Sequence, residues 1–148
     1  MTVVEVIVDD HRAAREMYAE AGNAPQQANS ERADKVAQLG ALWRAHNAMM
    51  SEVVYPALQA VDAELARSAR ERQDEVAMRL AALASGAGAE AGLAGDWLAD
   101  FERFKAVLEE QCRIEDTQVV AAIRNALPPD ETARLTRAAL DLRRAQGI

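Results

Sequence analysis

The chain has only two histidines, and each interrupts a run of apolar residues spaced like one face of a helix. His11 lies between Val4 and Ile7 on one side and Ala14 and Tyr18 on the other, at intervals of three and four. His46 stands between Trp43 and Met50, on a stripe that begins with Val36 and Leu39 and continues to Val53 and Ala57. Gln111 and Glu115 break a third stripe made of Trp97, Phe101, Phe104, Leu108, Val119 and Ala122. Asp74 lies at the edge of a fourth, three residues before Ala77 on a face with Val76, Leu80, Leu83 and Ala84. Two imidazoles, two carboxylates and an amide turned into one interior have two chemical uses: they can ligate a divalent cation, or they can move protons as general acid and base. Left without partners, such buried polar groups cost roughly 1 to 3 kcal/mol each, and more if charged, so they must bond one another, water or a cation.

The elements that carry these residues follow from periodicity and its interruptions. Thr2 with Glu5 forms a Thr-x-x-Glu capping box that starts the first helix. The turn formers of GNAPQQANS, residues 22–30, end it, and Ser30 is placed to cap the second. Pro56 cannot donate to the carbonyl of Glu52, so the second helix is expected to bend there. A third helix fits residues 63–85. The glycine-rich run SGAGAEAGLAG, 85–95, then connects to a fourth helix capped by Asp96 and stopped by Pro128 and Pro129. Asp130 is expected to cap a short fifth helix reaching about Arg144, with Leu135, Ala138, Ala139 and Leu142 inward. These elements predict one all-α domain over residues 1–148, an up-down-up-down four-helix bundle with a short C-terminal fifth helix packed across it.

Composition narrows the partners. A net charge of −7 with no block of Lys or Arg argues against nucleic acid or an anionic membrane surface. The opening MTVVEVIVDD lacks a basic n-region, and no apolar run approaches the roughly 18 residues of a membrane span, so a cytoplasmic protein is expected. The single Cys112 cannot form an internal disulfide, which suits a reducing compartment.

Four stretches, VVEVIVDDHRAAREM (3–17), the His46 segment ending in EVVYPAL (52–58), QDEVAMRLAAL (73–83) and LEEQCRIEDTQVVAAIRNALPPDE (108–131), resemble the hemerythrin-like, or HHE cation-binding, family. That resemblance implies a histidine in the first stretch, His-x-x-x-Glu in the second, a histidine in the third and His-x-x-x-Glu in the fourth, together holding an oxo-bridged pair of irons. Carried over, His11 and His46 match family histidines and Glu115 matches a bridging glutamate. The other bridging glutamate falls on Met50, the third-helix histidine on Asp74 and the last histidine on Gln111. In the family the two matched histidines serve one iron and the two lost ones its neighbour. The resemblance therefore implies one retained half-site, His11, His46 and Glu115, suited to one iron per chain or to zinc or manganese. Asp74 is a candidate fourth ligand or an acceptor behind the ligands, and Tyr18, Met50 and Gln111 are expected to line the cavity.

Two further readings come from other classes. A metal-free enzyme could use His46 and Asp74 as general acid and base on a small organic substrate. A non-catalytic scaffold would need no cofactor at all. In either metal or metal-free form, the expected partner is a small-molecule ligand or substrate, and the fifth helix offers a surface for homodimerisation.

Overall fold

The computed structural model of the chain describes residues 1–23, 29–86 and 94–148. The capping side chains of Ser30 and Asp96, like most of both expected loops, lie outside the described residues. Helix α1 spans Val3–Asn23, α2 Asn29–Met49, α3 Tyr55–Val61, α4 Ala63–Gly86, α5 Ala94–Ile114, α6 Val120–Ala126 and α7 Pro129–Ala145. A π-helical turn, Met50–Val54, joins α2 to α3, and a second, Glu115–Val119, joins α5 to α6, so the seven helices make five rods. Among the described residues there is no strand. The expected helical bundle is therefore the fold that forms. The first rod packs on the second and fourth, the third closes the ring against the same two, and α7 lies against α1, α2 and the first π turn.

Up-down-up-down order is visible in the core itself. One apolar cluster holds Val3 and Ile7 of α1, Met49 and Leu58 of the second rod, Ala66 and Ala69 of α4, and Ile123 of α6. The other holds Ala14 of α1, Val36 and Trp43 of α2, Val76 and Leu83 of α4, and Phe101 and Leu108 of α5. Successive rods run from first to second, second to first, and so on. Each of these four rods crosses between the clusters at one level, and there it places a polar residue.

Local chemistry explains the element ends. Thr2 N donates to Glu5 Oε2 at 2.7 Å and Glu5 N to Thr2 Oγ1 at 3.2 Å, the reciprocal bonds of a capping box. Asp62 breaks the chain between α3 and α4 and accepts Leu65 N at 3.1 Å. The start of α7 differs from expectation, because Pro128 is its N-cap, Pro129 opens its first turn, and Asp130 lies within that turn. Gly147, at φ +76°, ends α7 in a Schellman cap: Ile148 N donates to Arg143 O at 2.9 Å and Gly147 N to Arg144 O at 3.0 Å.

The π turns revise the expected seams. Pro56 does not end the second helix; the chain widens before it, and Tyr55 N donates to Met50 O, five residues back. In that register the acceptor left without a donor by Pro56 is Ser51 O, and Arg70 Nη2 of α4 reaches it at 3.4 Å. The extra residue rotates the downstream helix by about 100°. Val54 and Leu58 are buried where Val53 and Ala57 were expected. The second π turn does the same without a proline, with Val120 N on Glu115 O and the Thr117 hydroxyl on Arg113 O at 2.7 Å, and Ile123 replaces Ala122 in the core.

This register is testable by truncation. Leu58→Ala and Ile123→Ala should each lower unfolding free energy by about 2 to 5 kcal/mol, and Gln59→Ala, on the exposed face, by less than about 0.5, in urea denaturation followed by circular dichroism.

Candidate metal centre

The polar level between the two clusters contains His11, His46, Gln73, Gln111 and Glu115, all of them buried. His46 Nε2 lies 2.8 Å from Glu115 Oε1, and His46 Nδ1 lies 2.7 Å from Asp10 Oδ2. Both neighbours are carboxylates, which only accept, so both ring nitrogens carry protons and His46 is an imidazolium. Burial alone would push its pKa down, but Glu115 and Asp10 overcome that and raise it from 6.5 to about 9. Burial likewise works to raise Glu115, and His46 and His11 outweigh it, holding the carboxyl at about 2.

His11 is arranged differently. Its Nδ1 lies 2.7 Å from Asp116 Oδ1, so that nitrogen donates to the carboxylate and Nε2 faces the interior. Nε2 is 3.7 Å from Glu115 Oε1, too far for a hydrogen bond, and it has no hydrogen-bond partner among the described residues. A buried imidazole nitrogen that faces a carboxylate without bonding it is a candidate ligand position. One donor atom from each of His11, His46 and Glu115 fits within 4.8 Å of the others. Two neutralisable imidazoles and one carboxylate suit a divalent cation of the iron, zinc or manganese type. The residues present therefore fit a metal ion.

Carboxylates behind the imidazoles fix both rings. Asp10 is held by the Arg143 guanidinium, with Nη1 donating to Oδ1 at 3.0 Å and Nη2 to Oδ2, and these contacts with His46 keep its pKa low against the pull of burial. Asp116 has a looser partner in Arg15, 3.8 Å away and partly exposed. Trp43 orients the remaining oxygen of Glu115 at one remove. Its indole N–H, a donor only, bonds Gln73 Oε1 at 3.0 Å, which turns Gln73 Nε2 toward Glu115 Oε2 at 3.2 Å. The Trp43 and His46 rings are 4.5 Å apart.

Not every residue expected here arrives. Asp74 is exposed on α4, and its neighbour Gln73 takes the inward place. The reason is register: the buried stripe of α4 is Ala66, Ala69, Gln73, Val76, Leu80 and Leu83, at intervals of three, four, three, four and three. Ala77 and Ala84, which draw the face toward Asp74 in the sequence pattern, are exposed. Extending the stripe backward from Val76 by three reaches Gln73. Tyr18 is only partly buried and gives its hydroxyl proton to Glu109, with its pKa pushed to about 12 by burial and that carboxylate; it is not in the cluster. Met50 and Gln111 are fully buried, Gln111 Nε2 bonding Tyr55 OH at 3.3 Å and Ala69 O at 3.4 Å. Cys112 is buried and its thiol is pushed up by burial, which favours the protonated form over the thiolate. Asp10, Asp116 and Arg143 are additions that periodicity does not mark. Asp10 has a visible signal, since it lies beside His11 in DDHR and three residues after Ile7.

A helical bundle with two imidazoles and a carboxylate converging in its core belongs to the architectures that bind metal between facing helices. The model of the hemerythrin HHE cation binding domain matches residues 2–123, and the chain belongs to that family. No curated protein and no solved structure gives a significant match. Among the described residues no helix is long and apolar enough to cross a membrane.

The buried charges make stability pH-dependent in a defined direction. His46, raised from 6.5 to about 9, contributes fully below 6.5 and loses its contribution as pH rises through 9. Glu115, lowered from 4.5 to about 2, contributes above 4.5 and loses it as pH falls toward 2. Metal-free protein held in chelator should be most resistant to urea between about pH 4.5 and 6.5 and weaken on both sides. A transition midpoint that rose steadily from pH 6 to 9 would contradict the imidazolium assignment.

Proposed function

We propose that this chain is a mononuclear metal protein whose ion is held by His11, His46 and Glu115, with iron(II) the first candidate and zinc or manganese the alternatives. The observation that carries the reading is the unpartnered Nε2 of His11, buried and aimed at Glu115. Chemistry of the surroundings favours one ion over two. Glu115 Oε2, the oxygen free to reach a second ion, already accepts Gln73 Nε2. The other positions on that side are Met50 and Gln111, a thioether and a neutral amide. A second divalent ion would add two positive charges where the other buried carboxylate, Asp10, is already held by His46 and Arg143, a cost that burial makes large.

Within this reading each side chain has a stated task. Asp10 and Asp116 keep the Nδ1 protons of His46 and His11, so that both Nε2 atoms face the ion. His46 gives up its Nε2 proton, which bonds Glu115 Oε1 in the absence of metal, when a cation takes that nitrogen. Trp43 keeps bulk water from His46 on the side of a 360 Å³ cleft between α2 and α4, which Gly40, Ala77 and Ala81 also line. Bound iron(II) with three protein ligands would supply open positions for oxygen, peroxide or nitric oxide, which makes a small diatomic or peroxide the proposed partner. The cleft beside Trp43 is the proposed approach. A reducing cytoplasm would suit both iron(II) and the free Cys112.

Elemental analysis after anaerobic iron(II) loading and desalting tests the ligand set. Wild type and Asp74→Ala should retain about the same metal. His11→Ala, His46→Ala and Glu115→Ala should each lose most of it, with far-UV circular dichroism reporting that the helices persist. Equal retention in His11→Ala and His46→Ala would overturn the reading.

A further inference from the structure

Helix α7 lies beyond the residues matched to the family, yet it supplies the group that fixes Asp10. The contacts between α7 and α1 recur in register. Thr136 Oγ1 accepts Val3 N at 3.0 Å, and two turns further along both helices Arg143 grips Asp10. The separation is seven residues on each side, so α7 runs alongside α1 in the same direction. Arg143 is nearly buried, its guanidinium spanning both oxygens of Asp10 and resting 3.8 Å from Met49 Sδ. The turn that carries it is closed by the Gly147 cap, in which the carbonyl of Arg143 itself accepts Gln146 N and Ile148 N.

We infer that Arg143 is a positioning residue for the metal centre, and that α7 is thereby an integral part of the site. The inference rests on the mononuclear reading of His11, His46 and Glu115. Asp10 and His11 are consecutive on α1 and so point about 100° apart: one imidazole and the support of the other come from a single turn. His11 points toward α5, where Asp116 holds it from the turn that follows, and Asp10 points toward His46 on α2. Oδ2 of Asp10 is shared between His46 Nδ1 and Arg143 Nη2, and Oδ1 is taken by Nη1. The fork leaves the carboxylate one rotamer, and that rotamer sets the ring plane of His46 and the direction of its Nε2. Without the guanidinium, Asp10 would be a buried carboxylate held by one contact, free to turn toward water. His46 would then lose the bond that aims it.

The asymmetry of the two imidazoles supports this assignment. Arg15 sits 3.8 Å from Asp116 and is shared with Glu109, so the His11 support is loose and partly wet. The His46 support is tight, buried and bidentate. Of the exposed α7 arginines, Arg134 and Arg144 pair with Glu131 and Asp141 within their own helix. Arg143 alone among these three reaches another element.

The test uses the full chain with cobalt(II) as probe. Titration in the presence of a competing chelator, read by visible absorption, should show about one cobalt per wild-type chain. Affinity should fall about 10- to 100-fold in Arg143→Met, fall less in Arg143→Lys, which keeps charge without the fork, and stay unchanged in Arg144→Met. Metal-free protein gives an independent readout, the His46 Nδ1–H resonance in 15N-edited spectra. That signal should persist in wild type and Arg144→Met and exchange away with water in Arg143→Met. Should Arg143→Met fail to fold, the lysine variant carries the comparison. Cobalt affinity and the Nδ1–H signal both unchanged in Arg143→Met and Arg143→Lys would overturn the inference. Wild type binding no cobalt would overturn the metal reading instead, and the Nδ1–H comparison would still decide the role of Arg143.

Discussion

The pair formed by the His46 imidazolium and Glu115, buried at the level where the two apolar clusters meet, is the interaction that the rest of the bundle is arranged around. Two opposite charges removed from water are stable only if their other oxygens and protons are also matched. Asp10 takes the second proton of His46, Gln73 takes the second oxygen of Glu115, Trp43 and Arg143 fix those two in turn, and the chain of contacts reaches five rods. At this level His11 Nε2 and Gln111 Oε1 are left without hydrogen-bond partners, and of the two only His11 Nε2 faces the Glu115 carboxylate, at 3.7 Å. That gap, beside the Glu115 carboxylate and His46, is what lets the three residues hold a cation.

The π turns belong to the same constraint. Both start at this level, on Met50 and on Glu115, and each inserts a residue where an ordinary helix would have carried its stripe straight through. The wider turn lets adjacent residues do different jobs. Glu115 can face the imidazoles while Asp116 supports His11 from the rim, and downstream the rod still buries Val119 and Ile123. Ser51 O, stranded by Pro56, is covered by Arg70, so the irregularity leaves that carbonyl bonded. Irregular turns of this kind recur at functional sites because they re-aim a side chain without ending the helix.

How far the sequence can be read follows from these features. The bundle is legible because apolar residues at intervals of three and four are a direct record of burial, and the capping box at Thr2 and Glu5 is a local signal. His11, His46 and Glu115 are legible because each breaks such a record with a chemically distinctive group. Asp74 is misplaced by the pattern because Ala77 and Ala84, small enough to sit on either face, give the stripe of α4 an ambiguous phase. Gln73 is hidden for the complementary reason, since a glutamine three residues before Val76 looks like surface. The π turns are not legible beyond Pro56, because an inserted residue changes the phase without changing composition. Arg143 and Asp116 read as ordinary surface charges on their own helices. Only the packing of α7 on α1, and the widened turn after Glu115, bring them to the imidazoles.

Anomalous diffraction from crystals loaded anaerobically with iron(II), recorded at the iron edge, measures the central claim directly. A single peak bounded by His11 Nε2, His46 Nε2 and the Glu115 carboxylate is the expected result. Two peaks, the second beside Gln73 and Gln111, would contradict the mononuclear reading, and no peak in protein that remains folded would contradict the assignment of the cluster as a metal centre.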